Sequence, residues 1–314
     1  MDIPFDVLRM DVLVPVPVPL DVLKLVSFYI VRLPPPKLLD WINIDKLYWG
    51  NLCANPNGIH LLETRMDDIF WHVLSSNPNG IHLLEANPDK INWDILSSNP
   101  NGISLLNLNP DKINWADLSS NPNGIPLLEA NMDKINWANL SSNPNGIPLL
   151  EANMDKIDWD KLSSNPNGIH LLEANLDKIN WYKLSSNPNG IHLLNLNPDK
   201  IHWGKLSSNP NGIDLLKANI DKIDWYQLST NPNGLDLLKA NINKIVWWGL
   251  SLNPNPNVIS LLKANLTNRL KHISAIYGSL SANPIIFEPE PDIKIINEKI
   301  TNKTKRLDWI INKN

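Results

Sequence analysis

Apolar residues recur along this chain on a beat of 22 positions, longer than the period of any single helix or strand. Each unit is counted from the first Asn of an Asn-Pro-Asn-Gly tetrapeptide. Positions 5, 7, 8, 15, 17 and 20 are then apolar, in one unit Ile81, Leu83, Leu84, Ile91, Trp93 and Leu96. The tryptophan at position 17 returns without a slip from Trp49 through Trp71, Trp93, Trp115, Trp137, Trp159, Trp181, Trp203, Trp225 and Trp247. A fixed period of this length means stacked units, each burying its apolar face against its neighbours. Ile81 and Leu84 are three apart, as are Trp93 and Leu96, so each pair shares a helix face. The pattern predicts an all-α fold: an α-solenoid of 22-residue repeats with two short helices per repeat.

The polar positions mark where those helices begin and end. Asn-Pro-Asn-Gly suits a type I turn, with Pro at its second position and Gly at its fourth. Pro126 and Pro148 at position 6 are tolerated only if they fall in a first helical turn. The first helix is therefore expected to start near Gly124 and its equivalents and to end near position 10. Asn at position 11, Pro at 12 in some units (Pro88, Pro110, Pro198) and Asp at 13 are start signals for a second helix, expected to run to about position 20. Helices of ~7–10 residues, about 10–15 Å long, are marginal alone. Ten units at ~8–10 Å each predict a rod or shallow superhelix roughly 80–100 Å long. Because a buried Trp removes a large apolar area from water, Trp71, Trp93, Trp115, Trp137, Trp159, Trp181, Trp203, Trp225 and Trp247 are expected to form the spine of the core.

The regular array has atypical flanks. Residues 38–54 read as an N-terminal cap of the solenoid, 55–252 as nine 22-residue repeats, and 253–288 as a degenerate repeat with a C-terminal cap, where Tyr277 takes the Trp position. Residues 1–37 form an extended, apolar, Pro-rich N-terminal arm, as in Val12-Leu-Val-Pro-Val-Pro-Val-Pro-Leu20, which favours polyproline-like backbone. Leu20 to Leu33 is too short and too interrupted by Asp21, Lys24 and Arg32 for a transmembrane span. The start of the chain has no basic region of a signal peptide. Such an arm is expected to dock on the solenoid cap or on a partner. Residues 289–314 read as a charged tail.

Charge narrows the function classes. The net charge is −4, divided as −8 over residues 1–254 and +4 over 255–314. That lacks the basic excess of proteins that grip phosphate backbones, and no Lys/Arg stripe is evident beside the tryptophans, so no nucleic-acid partner is expected. The single cysteine, Cys53, excludes an internal disulfide and suits a reducing compartment. Histidines at position 6 of adjacent units, His60 with His82 and His170 with His192, would stand ~8–10 Å apart with no third ligand, a poor metal site. No phosphate-binding loop, zinc motif or cysteine cluster is present. No catalytic residue, cofactor, metal or small-molecule substrate is expected.

The two ends of the array carry a further signal. The segment from Leu38-Leu-Asp-Trp-Ile-Asn-Ile-Asp-Lys-Leu-Tyr-Trp49 through Asn55-Pro-Asn-Gly-Ile-His-Leu-Leu-Glu63 resembles the opening of a 22-residue Asn-Pro/Trp repeat family widespread in giant DNA viruses of protists. Leu280-Ser-Ala-Asn-Pro-Ile-Ile-Phe-Glu288 is similar to that family's closing phrase. The resemblance covers roughly residues 38–288. It implies viral origin and an all-helical repeat fold, and it brings no catalytic residues. This chain departs from the family in preferring Gly at position 4, where Ala is more usual, and in lacking a basic helical extension after the closing phrase.

The expected function is a non-enzymatic repeat scaffold, a minor structural, capsid-associated protein of a giant DNA virus that mediates protein–protein contacts. The alternative is a soluble, ankyrin-like adaptor for host proteins. Expected partners are other proteins, virion proteins among them, with self-association also open. The location is the virion or the host cytoplasm, not a secreted one. The candidate protein-binding residues are Tyr182, Tyr226 and Trp248, the aromatics at variable position 18, together with Val16, Phe28 and Tyr29 in the arm.

Overall fold

The computed structural model describes residues 36–268 and 273–288. The arm with Val16, Phe28 and Tyr29, and the tail after Glu288, lie outside the described residues. The chain divides into two units, and the one spanning Leu38–Pro289 holds the repeat array. It is all-α. Each regular repeat contributes a short helix, a 3₁₀ turn and a second short helix, as in Ile81–Ala86, Pro88–Lys90 and Trp93–Ser98, and two repeats add a 3₁₀ turn at Pro166–Gly168 and Pro188–Gly190.

The tetrapeptide forms the expected turn. Gly80 N–H donates to the Asn77 carbonyl at 3.0 Å, and Asn79 N–H donates to Asn77 Oδ1 at 3.0 Å. The first helix starts directly after the glycine, as at Ile125–Glu129, so Pro126 sits in its first turn at no cost in hydrogen bonds. Position 11 behaves differently from its expected role. Asn87 does not cap the following turn; its Nδ2 donates back to the Leu83 carbonyl at 2.9 Å and closes the first helix. The second helix begins at the tryptophan, later than expected. Its N-cap is the residue at position 16: Asn92 Oδ1 accepts from Ile95 N–H at 3.0 Å, and Asp158 and Asp224 act in the same way.

The core is built of leucines. Positions 8 and 20, such as Leu84, Leu96, Leu106 and Leu118, are fully buried, and the position-15 isoleucines are nearly so. The tryptophans pack against this core but are only half-buried, which corrects their expected place as its spine. One ring face is covered in several units by a cation from the next unit: Arg65 over Trp49, Lys134 over Trp115, Lys178 over Trp159 and Lys222 over Trp203, at 4.4–4.7 Å. A Lys/Arg series beside the tryptophans thus exists, unlike the expectation, and it occupies those faces from within the chain.

Adjacent units are joined by a repeated polar junction. The position-1 asparagine is buried, and its Nδ2 donates to two carbonyls of the preceding unit: Asn165 to Ser141 O at 3.0 Å and Asn143 O at 2.9 Å. The position-21 serine is also buried. Ser75 Oγ donates to the Trp71 carbonyl and accepts from Asn92 N–H of the next unit at 3.0 Å. The position-3 asparagine reaches the preceding unit's proline carbonyl, as Asn167 does to Pro144 O at 2.9 Å. Every buried side-chain nitrogen and oxygen among the described residues has a partner. That is required where desolvated amides would otherwise be orphaned.

The same junction joins the last unit to the first. Asn55 Nδ2 donates to Ser281 O and Asn283 O, both at 3.0 Å, Tyr48 N–H donates to Ser281 Oγ at 2.8 Å, and Asn57 Nδ2 reaches Pro284 O at 3.4 Å. Leu38 and Phe287 pair as an antiparallel bridge, with Leu39 N–H on Ile286 O at 2.8 Å. The array is therefore a closed ring, not the expected rod. Among the described residues the asparagine ladder runs through eleven members, from Asn55 by steps of 22 to Asn253, then to Asn283 and back. A rotation of roughly 33° at each junction, the ordinary curvature of a solenoid, accumulates to a full circle. The segments read as caps are the two sides of the seam. The wider spacing of the last step, 30 residues against 22, is taken up by the longer helices Ile259–Asn268 and Ile273–Ala282.

Candidate protein-binding site

With the junction asparagines fixed in every unit, polar, charged and aromatic side chains exchange with one another mainly at positions 6, 9, 16, 18 and 19, which are exposed or half-buried. Positions 16 and 18 flank the tryptophan at the start of the second helix and stand beside their counterparts in the next unit. Tyr226 and Trp248 stack with ring centroids 5.1 Å apart and planes 20° from parallel. Tyr182 meets the edge of His202 at 4.6 Å and lies under Lys205 Nζ at 4.9 Å. Tyr182 and Trp248 are about half exposed.

Ring closure extends this row in a way the linear sequence hides. Across the seam stand Tyr48 and Phe70, both exposed, 6.3 Å apart, and Phe70 lies 6.2 Å from His72. Position 18 is glycine in the unit between Trp248 and this second group, Gly278, and in the unit that carries Tyr48, Gly50. Asn51 Nδ2 donates to Gly278 O at 2.9 Å and ties those two units together. The candidate residues Tyr182, Tyr226 and Trp248 thus share one arc with Tyr48, Phe70 and His72, which are far from them in sequence. The missed signal was the aromatic at position 16 of the first two units.

The opposite arc has no aromatic at position 18. Position 18 there carries Asp94, Ala116, Ala138 and Asp160. Lys183 and Asn180 hold Asp160, and hydrogen bonding from the ammonium keeps its carboxyl below the usual range. Partial burial, helped by the charge of Asp94, raises Asp117.

The remaining titratable groups are engaged in packing. Cys53 takes the serine place at position 21. Its Sγ accepts from Phe70 N–H at 3.3 Å, and burial raises its pKa. His82 pairs with Glu63 at 2.9 Å and His170 with Glu151 at 2.8 Å; His192 pairs with Glu173 in the same way. Each bond links position 6 of one unit to position 9 of the unit before. His60 lies at the seam instead, edge-on to Phe287 at 5.5 Å, and burial lowers its pKa. Among the described residues no group of three or more His, Cys, Asp or Glu side chains is placed to hold a metal ion, and no helix is long and apolar enough to cross a membrane.

Fold and surface define a closed α-solenoid with a constant frame and a variable outer row. A family model described as periplasmic copper-binding protein (NosD) matches residues 42–233, more than half of the chain, and the chain belongs to that family. No curated protein and no solved structure matches it. The described donor set does not fit the copper of that description. The thiol is buried and accepts a backbone N–H, and three histidines already hold single carboxylates one unit apart, whereas a copper centre gathers several imidazole, thiolate or thioether donors at one point.

Proposed function

We propose that the chain is a non-enzymatic scaffold that holds other proteins through the exposed aromatic arc of its ring. The observation that carries this reading is the arc itself: Tyr182, Tyr226 and Trp248, continued over the seam by Tyr48 and Phe70, on a frame whose junctions do not vary. Exposed aromatics on rigid elements are the side chains that anchor protein interfaces, since they bury large area at little cost in conformational entropy. The resemblance of residues 38–288 to the giant-virus repeat family supports placing this scaffold in the virion as a minor structural component, with a host-cell adaptor as the second reading.

Crosslinking mass spectrometry on infected cells and on purified particles tests both readings. The chain should occur in particles, crosslinked to a virion protein through lysines near the arc, such as Lys205. The double variant Tyr226→Ala/Trp248→Ala should lose that crosslink while keeping its helical circular dichroism. Absence from particles would remove the virion role, and an unchanged crosslink pattern in the variant would remove the arc. The copper named in the family description is checked by titrating the purified chain with Cu(I) and Cu(II): this reading predicts no stoichiometric binding.

A further inference from the structure

The edge formed by positions 10–14 touches the preceding unit through the position-14 lysines Lys134, Lys178 and Lys222 over its tryptophans, and it is unexpectedly apolar. At position 12, Met132, Met154, Leu176, Ile220 and Ile242 are 40–58% exposed. At position 10, Leu108 and Leu196 are 78% and 76% exposed. Neither position has a structural reason to be apolar: position 10 is alanine in most other units, and position 12 opens a 3₁₀ turn that buries none of its residues. At ~120 Å² for each fully exposed aliphatic side chain, these residues present roughly 500 Å² of apolar surface. Spread over seven successive units, that total is comparable with the largest apolar patch of a typical solitary protein.

The charges beside this ridge select its occupant. Positions 13 and 14 place an aspartate next to a lysine, as in Asp89–Lys90 at 3.5 Å, Asp155–Lys156 at 3.9 Å and Asp199–Lys200 at 3.3 Å. The Asp-Lys sequence recurs in seven consecutive units, from Asp89-Lys90 to Asp221-Lys222, so that stretch of the edge carries both signs in alternation. A partner of one charge sign would meet repulsion in every unit. A second copy related by a two-fold axis sets Asp against Lys repeatedly, which is the self-complementarity that isologous pairing needs. The area agrees: a standard interface buries ~800 Å² on each side, about 60% of it apolar, which is again roughly 500 Å².

We propose that the edge at positions 10–14 is a self-association surface through which two copies of the chain pair ridge to ridge, the aspartates of position 13 interleaving with the lysines of position 14. The surface is separate from the aromatic row at positions 16 and 18, so pairing leaves that row open and doubles its valence.

Sedimentation of the full chain tests this. The wild type should sediment as a species of twice 35.5 kDa. An all-basic edge (Asp89→Lys, Asp155→Lys, Asp199→Lys) and an all-acidic edge (Lys90→Glu, Lys156→Glu, Lys200→Glu) alter exposed residues only and should keep the wild-type circular dichroism. Each alone should weaken self-association more than about tenfold, and an equimolar mixture should restore the dimer. Leu108→Lys/Leu196→Lys should be monomeric. A wild type that is monomeric at every concentration overturns the proposal, as does a dimer that survives all three variants.

Discussion

The junction asparagines make a prediction whose size can be worked out from the structure. Asn165 lies buried in the middle of the ladder. Its Nδ2 donates to Ser141 O at 3.0 Å and Asn143 O at 2.9 Å, and its Oδ1 accepts from Asn167 N–H at 3.0 Å. Asn165→Ala deletes all three bonds. The two carbonyls lose unequal amounts. Asn143 O keeps its bond from Gly146 N–H and gives up only one of two acceptances, whereas among the described residues no other donor reaches Ser141 O. At about 0.5–1.5 kcal/mol for each lost carbonyl bond and about 1–3 kcal/mol for the orphaned N–H, the variant should lose roughly 2–6 kcal/mol. Urea denaturation read by far-ultraviolet circular dichroism and tryptophan fluorescence measures this, and hydrogen exchange should show Asn167 N–H losing protection. Asn165→Asp should be at least as damaging, because it points a carboxylate at two carbonyl oxygens. A loss under about 1 kcal/mol for Asn165→Ala would refute the ladder as the element that joins units.

Three further substitutions probe single parts of the frame. A Cβ on Gly124 would stand 2.8 Å from Leu118 O, so Gly124→Ala should destabilise by about 1–3 kcal/mol in the same assay, despite alanine's better helix propensity. Cys53→Ser restores the hydroxyl that every regular junction uses, so thermal unfolding should move up slightly or not at all; a large loss would show that the thiol fills space a hydroxyl cannot. Asp117 has its folded pKa raised, so at neutral pH its charge opposes folding, and that cost fades as pH falls through the folded value. Asp117→Asn should therefore raise the melting temperature at pH 7 and make no difference below the pKa of an unfolded aspartate, about 3.9; equal effects at both pH values would contradict the assignment.

Much of the frame was legible in the sequence because it obeys local rules. Pro126 and Pro148 set the start of the first helix, and the leucine spacing set its buried face. The position of the second helix was harder to read. Asn at 11 and Asn, Asp or His at 16 are all competent caps, and only the fold decides that Asn87 closes a helix while Asn92 opens one. Size and periodicity place the tryptophans too deep, because a half-exposed ring under the next unit's lysine satisfies the same pattern. Ring closure lay beyond reach because curvature is a small rotation repeated at each junction, and no single residue encodes it. Asn283 and Ser281 carried the clue, since they repeat the position-1 asparagine and position-21 serine at the end of the array. With closure hidden, Tyr48 and Phe70 could not be joined to Tyr226 and Trp248.

Closure is the central claim, and a disulfide across the seam tests it most directly. Leu38 and Phe287 form an antiparallel bridge pair, whose Cα atoms in such pairs stand about 4.5–5.5 Å apart, within disulfide range. In the variant Leu38→Cys/Phe287→Cys/Cys53→Ser, mild oxidation should produce an intramolecular disulfide in nearly every molecule. Intact mass and peptide mapping would show it, with unchanged circular dichroism. An open array would hold these residues tens of ångströms apart. Free thiols, or disulfides formed only between molecules, would contradict the ring.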